Sequence, residues 1–397
     1  MASLKKMSDS NLSELQRKTL QQFRDGIDEI DKQLIRLFDE RAALVFKVGE
    51  WKKLNSFEVH DPNREKQILE KIARSPRHYL KDHEIQSLFM RMIEFYRNTE
   101  KIRTLINHAK NSAVLSEKSV FGFLGFGLIG ASVALALRDA YPQAKFLIHD
   151  PLLETDKFEE WNRTHAHSAF QVVNRQQLDH THVLFLAAPI DINQKQGEEL
   201  AAKNQLTLNL GSYQTEIKNV VGFHPLAGKE TSGYEVAQAD LFHGKIICTT
   251  SATPLSPENQ KTVECLAHSL GAELVTTSHQ EHNEVLAYSS HLVQLLSLAF
   301  GNALAKQNFD KHTALIPNMA QQLLRLTGSD AKMWEPILIK NRAFISKALQ
   351  DLQANLKDIQ IILDEPSSEN QSSAWQKLFQ KSHKIYQSIY LKKGKTP

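Results

Sequence analysis

The sequence predicts a multidomain chain in three parts: an all-α three-helix domain, then an α/β domain with a parallel sheet, then an all-α C-terminal domain. Three observations carry this. Residues 23–51 hold an apolar seam at heptad spacing; from Val120 onward short apolar runs alternate with helical stretches; and from about Gln280 almost every apolar pattern is helical.

The first helix is read from Phe23, Ile27, Ile30, Leu34, Leu37, Arg41, Leu44, Val48 and Trp51, in alternating steps of four and three. Such a seam predicts a helix packed against other helices along its whole length. Arg41 interrupts it. A buried guanidinium costs several kcal/mol without an anion, so Arg41 calls for an acidic side chain or an anionic ligand, and the flanking basic residues favour a ligand. Arg41 and Lys52 point within roughly 20° of each other, about 16 Å apart along the axis. Arg24 lies about 100° off that line and reaches the same anion only from a second copy of the helix.

After a turn at His60-Asp61-Pro62, Asn63 to Ala73 reads as a second helix with Ile68, Leu69 and Ile72 inward. A third runs from Asp82, an N-cap, through Ile85, Leu88, Phe89, Met92, Ile93 and Tyr96 to about Ile106. The periodicity is lost over 107–118, a linker. Five strands are expected at Val120–Leu124, Lys145–His149, His182–Ala187, Leu206–Leu210 and Val220–His224. A Ser-rich, acidic break at Pro366–Ser373 precedes a basic amphipathic tail. The expected boundaries are therefore 14–106, a linker over 107–118, 119–279, 280–365 and a tail over 366–397.

Composition narrows the function. With 397 residues, a formal charge of +3 and 23% charged residues, the chain has no basic block suited to nucleic acid, which leaves small molecules as the default partners. Cys248 and Cys265 show no CxxC spacing and sit in apolar surroundings, as inert buried thiols in a reducing cytoplasm do. The polar stretch Met1 to Ser13 lacks the apolar core of a secretion signal. Residues 120–137 carry no charge, yet four glycines in nine positions argue against a membrane span.

Gly125-Phe126-Gly127-Leu128-Ile129-Gly130 follows a strand and opens a helix, the setting in which a GxGxxG turn holds the pyrophosphate of a dinucleotide in a Rossmann domain. The next strand ends at Asp150, twenty residues after Gly130, where a carboxylate accepts the ribose hydroxyls of NAD and repels the 2′-phosphate of NADP. A second motif, Gly222-Phe223-His224-Pro225-Leu226-Ala227-Gly228, lies at the end of a later strand, with Ser212 beside it after the preceding one. His224 suits the base that takes a hydroxyl proton while hydride leaves the same carbon. Two further clusters are Glu281-His282 with Tyr288-Ser289-Ser290-His291-Leu292, and Arg325 with Ser329-Asp330 and Trp334. His165, His167, His180 and His182 have no cysteine or acidic complement, read as surface residues, and give no metal site.

On these residues the chain resembles two known families. Residues 14–106 resemble the all-helical chorismate mutases, through Arg24, Arg41 and Lys52, through Asp61, Arg64 and Glu65 at the start of the second helix, and through Tyr96 and Glu100 on the third. Residues 120 to about 365 resemble the prephenate dehydrogenases, through the GFGLIG turn, Ser212, the HPLAG segment, the SSHL segment and Arg325. The order of the two halves is that of bifunctional enzymes of tyrosine biosynthesis. The resemblance implies a cytoplasmic homodimer using NAD, with an intertwined mutase dimer and a C-terminal dimerisation domain. It also implies that Arg41, Lys52, Glu100 and a partner-chain Arg24 hold chorismate while it rearranges, with Asp61, Arg64, Glu65 and Tyr96 around it. On prephenate, His224 is then the base, Arg325 binds a carboxylate, and Ser212 and His291 line the site.

This sequence departs from its relatives in places. Where they often carry an acid and then Ser-x-Lys, it has Asn209 and Ser212-Tyr213-Gln214, so a cation is missing unless Lys218 replaces it. Lys229 follows HPLAG where threonine is frequent, Tyr96 stands for a smaller polar residue and Glu100 for a glutamine. These changes leave arogenate or 4-amino-4-deoxyprephenate open as alternative substrates. A regulatory or assembly protein with one inactive half is the alternative of a different class.

Overall fold

A computed structural model describes residues 14–55, 57, 61–112, 114–200, 205–229, 231–364 and 369–391; Met1 to Ser13, His60 and residues 366–368 of the acidic break lie outside them. The chain divides at His108/Ala109 into two compact units.

The first unit holds three helices, α1 (Glu14–Leu54), α2 (Pro62–Ala73) and α3 (Asp82–Lys110). Asp61 caps α2 by accepting the Arg64 N–H at 3.0 Å, and Pro62 fills the first helical position, where its missing N–H costs nothing. Asp82 differs from its expected role as a cap: it is the first residue of α3, and its carboxylate pairs with Arg77. The helix also continues past Ile106 to Lys110, into the stretch read as linker. Ile68, Leu69 and Ile72 are half-buried. The α1 seam differs more. Every apolar residue in it is exposed within one chain, from 41% at Leu34 to 67% at Phe23, and Arg41 is its most enclosed member. Side chains exposed to that degree forgo about half of the roughly 1.5 to 3 kcal/mol that complete burial of each would contribute.

The second unit is built on an eight-stranded sheet in the order β3-β2-β1-β4-β5-β6-β7-β8. Its strands are β1 (Val120–Leu124), β2 (Lys145–His149), β3 (Phe170–Val172), β4 (Val183–Leu186), β5 (Leu206–Asn209), β6 (Val220–Pro225), β7 (Ile246–Ser251) and β8 (Glu273–Thr276). All neighbours run parallel except β6 and β7, whose antiparallel register sets His224 opposite Cys248. The near-continuous apolar runs of β1 and β4, and the complete burial of β5 despite its Thr207 and Asn209, fit strands covered on both faces. Crossover helices α4 (Leu128–Ala140), α5 (Thr155–Ala166) and α6 (Ile190–Leu200) link the first strands, and α7 (Pro257–Ser269) joins β7 to β8. Residues 120–137 thus fold as a strand, a turn and most of α4, and no helix among the described residues is long and apolar enough to cross a membrane.

An aromatic cluster fastens the glycine turn to this core. Phe126 is 1% exposed, with its ring 5.5 to 6.5 Å from those of Phe123, Phe158, Trp161, Phe170 and Tyr234. Cys248 and Cys265 are both buried free thiols.

The remainder is helical. It comprises α8 (His279–Leu286), a π-helical turn at Ala287–His291, α9 (Leu292–Lys306), α10 (Asn318–Arg325), α11 (Ala331–Lys340), α12 (Arg342–Asp364) and α13 (Glu369–Tyr386).

Candidate active sites

In the first unit the charged residues gather around the α1–α3 contact. The Arg41 guanidinium lies 4.4 Å from the centre of the Tyr96 ring, and its Nη1 is buried without a hydrogen-bond partner. Tyr96 is 3% exposed and its hydroxyl donates to the Phe38 carbonyl at 2.6 Å. Both faces of that arrangement are therefore committed: the ring supports the cation, and the hydroxyl anchors the ring to α1. The Tyr96 ring thus lies beneath the Arg41 guanidinium, with its hydroxyl taken up by the backbone of α1.

Glu100 lies over Gly49, where any side chain would collide with its carboxyl group. Glycine at 49 is what lets α3 bring that acid against α1. Burial raises the Glu100 pKa above the ordinary carboxylate value, and the nearby Lys52 charge pulls the other way. Glu65 is engaged by Arg97 at 3.0 Å, and Asp61 by the α2 backbone. Arg24 lies on an exposed part of α1, seventeen residues and about 25 Å along the axis before Arg41, so within one chain it stands apart from Arg41, Lys52, Tyr96 and Glu100.

In the second unit the glycine turn sits where the sheet order reverses, with β2 and β4 on either side of β1. Gly125 has a φ of +87°, which a side chain rarely tolerates, and its N–H donates to the His149 carbonyl at 2.9 Å. Gly127 opens α4 with no side-chain cap, and a Cβ there would meet nothing within 4 Å. The N-terminal N–H groups of the helix are thus left for a ligand, the arrangement a pyrophosphate requires. Phe126 and Leu128 are buried, so they contribute backbone rather than side chain to this turn. Asp150 follows β2 and accepts from the Phe126 N–H at 2.8 Å and the Leu152 N–H at 2.9 Å. A carboxylate has about four acceptor positions, so ribose hydroxyls fit beside these bonds.

His224 lies near the C-terminal end of β6, on the edge of the sheet where open α/β folds bind ligands. Its Nδ1 is 3.0 Å from Nε2 of His282 on α8, whose Nδ1 is 2.9 Å from Oδ1 of Asn283. Asn283 is tied to the segment after Ser212: Gln214 N–H donates to its Oδ1 at 3.1 Å, and its Nδ2 donates to the Gln214 carbonyl at 2.8 Å. Burial first, then the neighbouring His282 and His291, push the His224 pKa down to about 3; burial and His282 push His291 down to about 4. His291 closes the π-helical turn, 2% exposed, with its ring 5.9 Å from that of Trp334. A π-helical turn at such a place is a frequent mark of a functional site.

Ser212 is half-buried in the β5–β6 connection, and Arg325 is exposed at the end of α10. The next carbonyl, of Leu326, accepts from Gln294 on α9 at 3.1 Å, which ties that end to the helix following His291. Lys218 stands two residues before β6 begins, at the opposite end of the strand from His224, so it does not supply the missing cation. Neutral amides occupy the place instead, with Asn209 Nδ2 donating to Gln214 Oε1 at 3.3 Å. Lys229 is spent on the Val236 carbonyl at 3.1 Å. The four histidines read as surface residues are exposed. His282, Asn283, Asn341 and Gly49 were not among the expected site residues. Only His282 stood in a cluster that the sequence singled out.

The fold and the two residue groups give an all-helical unit with a partly enclosed cation and a sheet unit that joins a glycine turn to a buried histidine held neutral. Comparison with known proteins finds a likeness within each unit. Residues 23–101 match the family Chorismate mutase type II, and residues 278–380 match the family Prephenate dehydrogenase, dimerization domain. The first unit is thus similar to type II chorismate mutases, and the helical end of the second unit to the dimerization domain of prephenate dehydrogenases. It is 24% identical over 294 residues to the prephenate dehydrogenase of Lactococcus lactis subsp. cremoris, an alignment covering 69% of this chain and 78% of that protein. It is 38% identical over 91 residues to the bifunctional chorismate mutase/prephenate dehydratase of Buchnera aphidicola, covering 22% of this chain and 24% of that one. Among solved structures, prephenate dehydrogenase from Aquifex aeolicus, crystallised with hydroxyphenyl propionate and NAD+, shares the fold with a TM-score of 0.58 at 19% identity. That likeness covers 68% of this chain and 99% of the other.

Proposed function

We propose that the chain is a bifunctional enzyme of tyrosine biosynthesis, converting chorismate to prephenate in its helical unit and prephenate to 4-hydroxyphenylpyruvate in its sheet unit. The observation that carries this reading is the pairing of two unlike centres in one chain. One presents a cation in an apolar seam with an unpartnered nitrogen; the other holds a histidine neutral at the ligand-binding edge of a dinucleotide-type sheet.

The first reaction is a rearrangement within one molecule, so it needs no nucleophile. The protein's task is to hold a folded dianion and stabilise charge developing on the ether oxygen. Arg41 and Lys52, with Arg24 of a partner chain, suit the carboxylates and that oxygen. Glu100 serves as a donor only while protonated, and burial favours that form.

For the second reaction the residues fit NAD: the turn Gly125 to Gly130 holds the pyrophosphate, and Asp150 the ribose. NAD when bound supplies the hydride acceptor for C4 of prephenate, whose ring loses CO2 and becomes aromatic. His224 takes the C4 hydroxyl proton, Arg325 holds a carboxylate, and Ser212 and His291 orient the substrate. The exposed α1 seam and the dimerization-domain match support a homodimer, and two buried free thiols suit a cytoplasmic protein. A coupled assay from chorismate to NADH tests the whole reading. NADH formation with both prephenate and chorismate is expected; oxidation of arogenate in preference to prephenate would replace the substrate and keep the chemistry.

A further inference from the structure

Hydrogen bonds anchored on the backbone determine which nitrogen of each site histidine carries its proton. The Asn283 amide has no freedom to flip, because its Oδ1 receives a backbone N–H and its Nδ2 faces a backbone carbonyl, both of Gln214. The group at 2.9 Å from His282 Nδ1 is therefore an oxygen, which accepts only, so His282 carries its proton on Nδ1. Its Nε2 is then an acceptor, and the contact at 3.0 Å requires His224 to donate from Nδ1. His224 is left with an unprotonated Nε2.

The same logic gives His291 the opposite form. Asn341, 1% exposed, donates from Nδ2 to the Asn283 carbonyl at 2.8 Å, which fixes its orientation too. That same Nδ2 lies 3.1 Å from His291 Nδ1, so this nitrogen accepts and the proton of His291 sits on Nε2. Burial keeps both rings neutral, the condition under which tautomers differ in function.

We propose that His282 and Asn283, with Asn341 beside them, are positioning residues that set the two histidines in complementary tautomers. His224 offers a bare Nε2 to a substrate hydroxyl, and His291 offers an Nε2–H to a substrate oxygen. The catalytic meaning rests on the dehydrogenase reading above; the proton positions do not. Residue 283 is central, since its side chain directs His282 and its carbonyl directs Asn341. One short segment of α8 thereby sets both rings.

Two measurements test this on the full-length protein. Nitrogen-15 labelling of histidine, with signals assigned by their loss in His224→Gln and His291→Gln, reads the tautomers directly near neutral pH without substrate. The expected result is Nδ1–H for His224 and Nε2–H for His291; the same tautomer in both rings would overturn the proposal. Kinetically, His282→Leu removes the acceptor while His282→Gln keeps one. His282→Leu should lower kcat for prephenate by roughly 10- to 100-fold, with KM within about threefold, chorismate consumption unchanged, and the His224 signal redistributed between tautomers. His282→Gln should recover most of the loss. Equal loss in both variants, or native kcat in His282→Leu, would contradict it. Failure of the native protein to oxidise prephenate would remove the functional reading, leaving the proton positions to be judged by the nitrogen shifts.

Discussion

The two units position their charged or titratable groups in different ways. In the sheet unit, each support of His224 ends on a backbone group of the same chain: Gln214 through Asn283, and the β6–β7 register beneath the ring. In the helical unit, Arg41 rests on one aromatic face with an unpartnered nitrogen, while the apolar residues before and after it face water. The contrast teaches that the histidine is organised by its own fold, whereas the arginine sits on a helix whose apolar seam is exposed in the single chain, the surface that the proposed homodimer would cover.

The largest effects should separate the units. Arg41→Ala should abolish chorismate consumption, a loss of at least about 100-fold, while prephenate oxidation stays within about twofold. His224→Asn should do the reverse, lowering prephenate oxidation by roughly 100- to 10,000-fold. Loss of both activities in either variant, in folded protein, would break the comparison. Next in size is the cofactor effect. Asp150→Ser should narrow the preference for NAD over NADP by roughly tenfold or more, measured as the ratio of kcat/KM values. An unmodified enzyme that used both equally would show Asp150 facing away from the ribose.

Titration sharpens the contrast further, because burial moves the two groups' pKa values in opposite directions while holding each of them neutral. For Glu100 the raised pKa preserves a donor, so mutase activity should fall as pH rises through it, and Glu100→Gln should hold its activity at higher pH. Coincident pH profiles would remove Glu100 from the ether oxygen. For His224 and His291, lowered to about 3 and about 4, the folded state resists protons that the unfolded chain binds at its ordinary value of 6.5. Their contribution to stability is full above pH 6.5 and falls as the pH drops from there toward 3. Urea midpoints of native protein and His291→Gln should converge across that window; parallel curves would count against the burial argument. The smallest effect belongs to Tyr96→Phe, which keeps the ring under Arg41 and loses only the bond to the Phe38 carbonyl. Mutase kcat/KM should fall less than about tenfold.

Much of this was legible in the sequence where local pattern decides structure. β1 and β2 are at Val120–Leu124 and Lys145–His149, the spans that their apolar runs predict, and Arg41 announces itself as a cation in an apolar row. β7 was hidden because Cys248, Thr249 and Thr250 are polar or small yet buried against β6. β3 has three residues and β8 four, with no residue of β8 buried, so both are too short for a periodicity to show. The link between His224 and His282 spans 58 residues, and that between Gln214 and Asn283 spans 69. No local spacing encodes such contacts; they follow from sheet order and from where α8 begins. The bond from Tyr96 to the Phe38 carbonyl, 58 residues away, is of the same kind.

The measurement that tests the central contrast most directly is complementation between two inactive mutase variants. Arg24→Ala and Arg41→Ala should each lack chorismate mutase activity while retaining prephenate oxidation. Co-expressed, they form mixed dimers in which one of the two helical sites combines an intact Arg41 from one chain with an intact Arg24 from the other. Random pairing should then restore about a quarter of native mutase activity. Full activity in the Arg24→Ala protein alone, or no recovery in isolated mixed dimers, would contradict a helical site completed by the second copy.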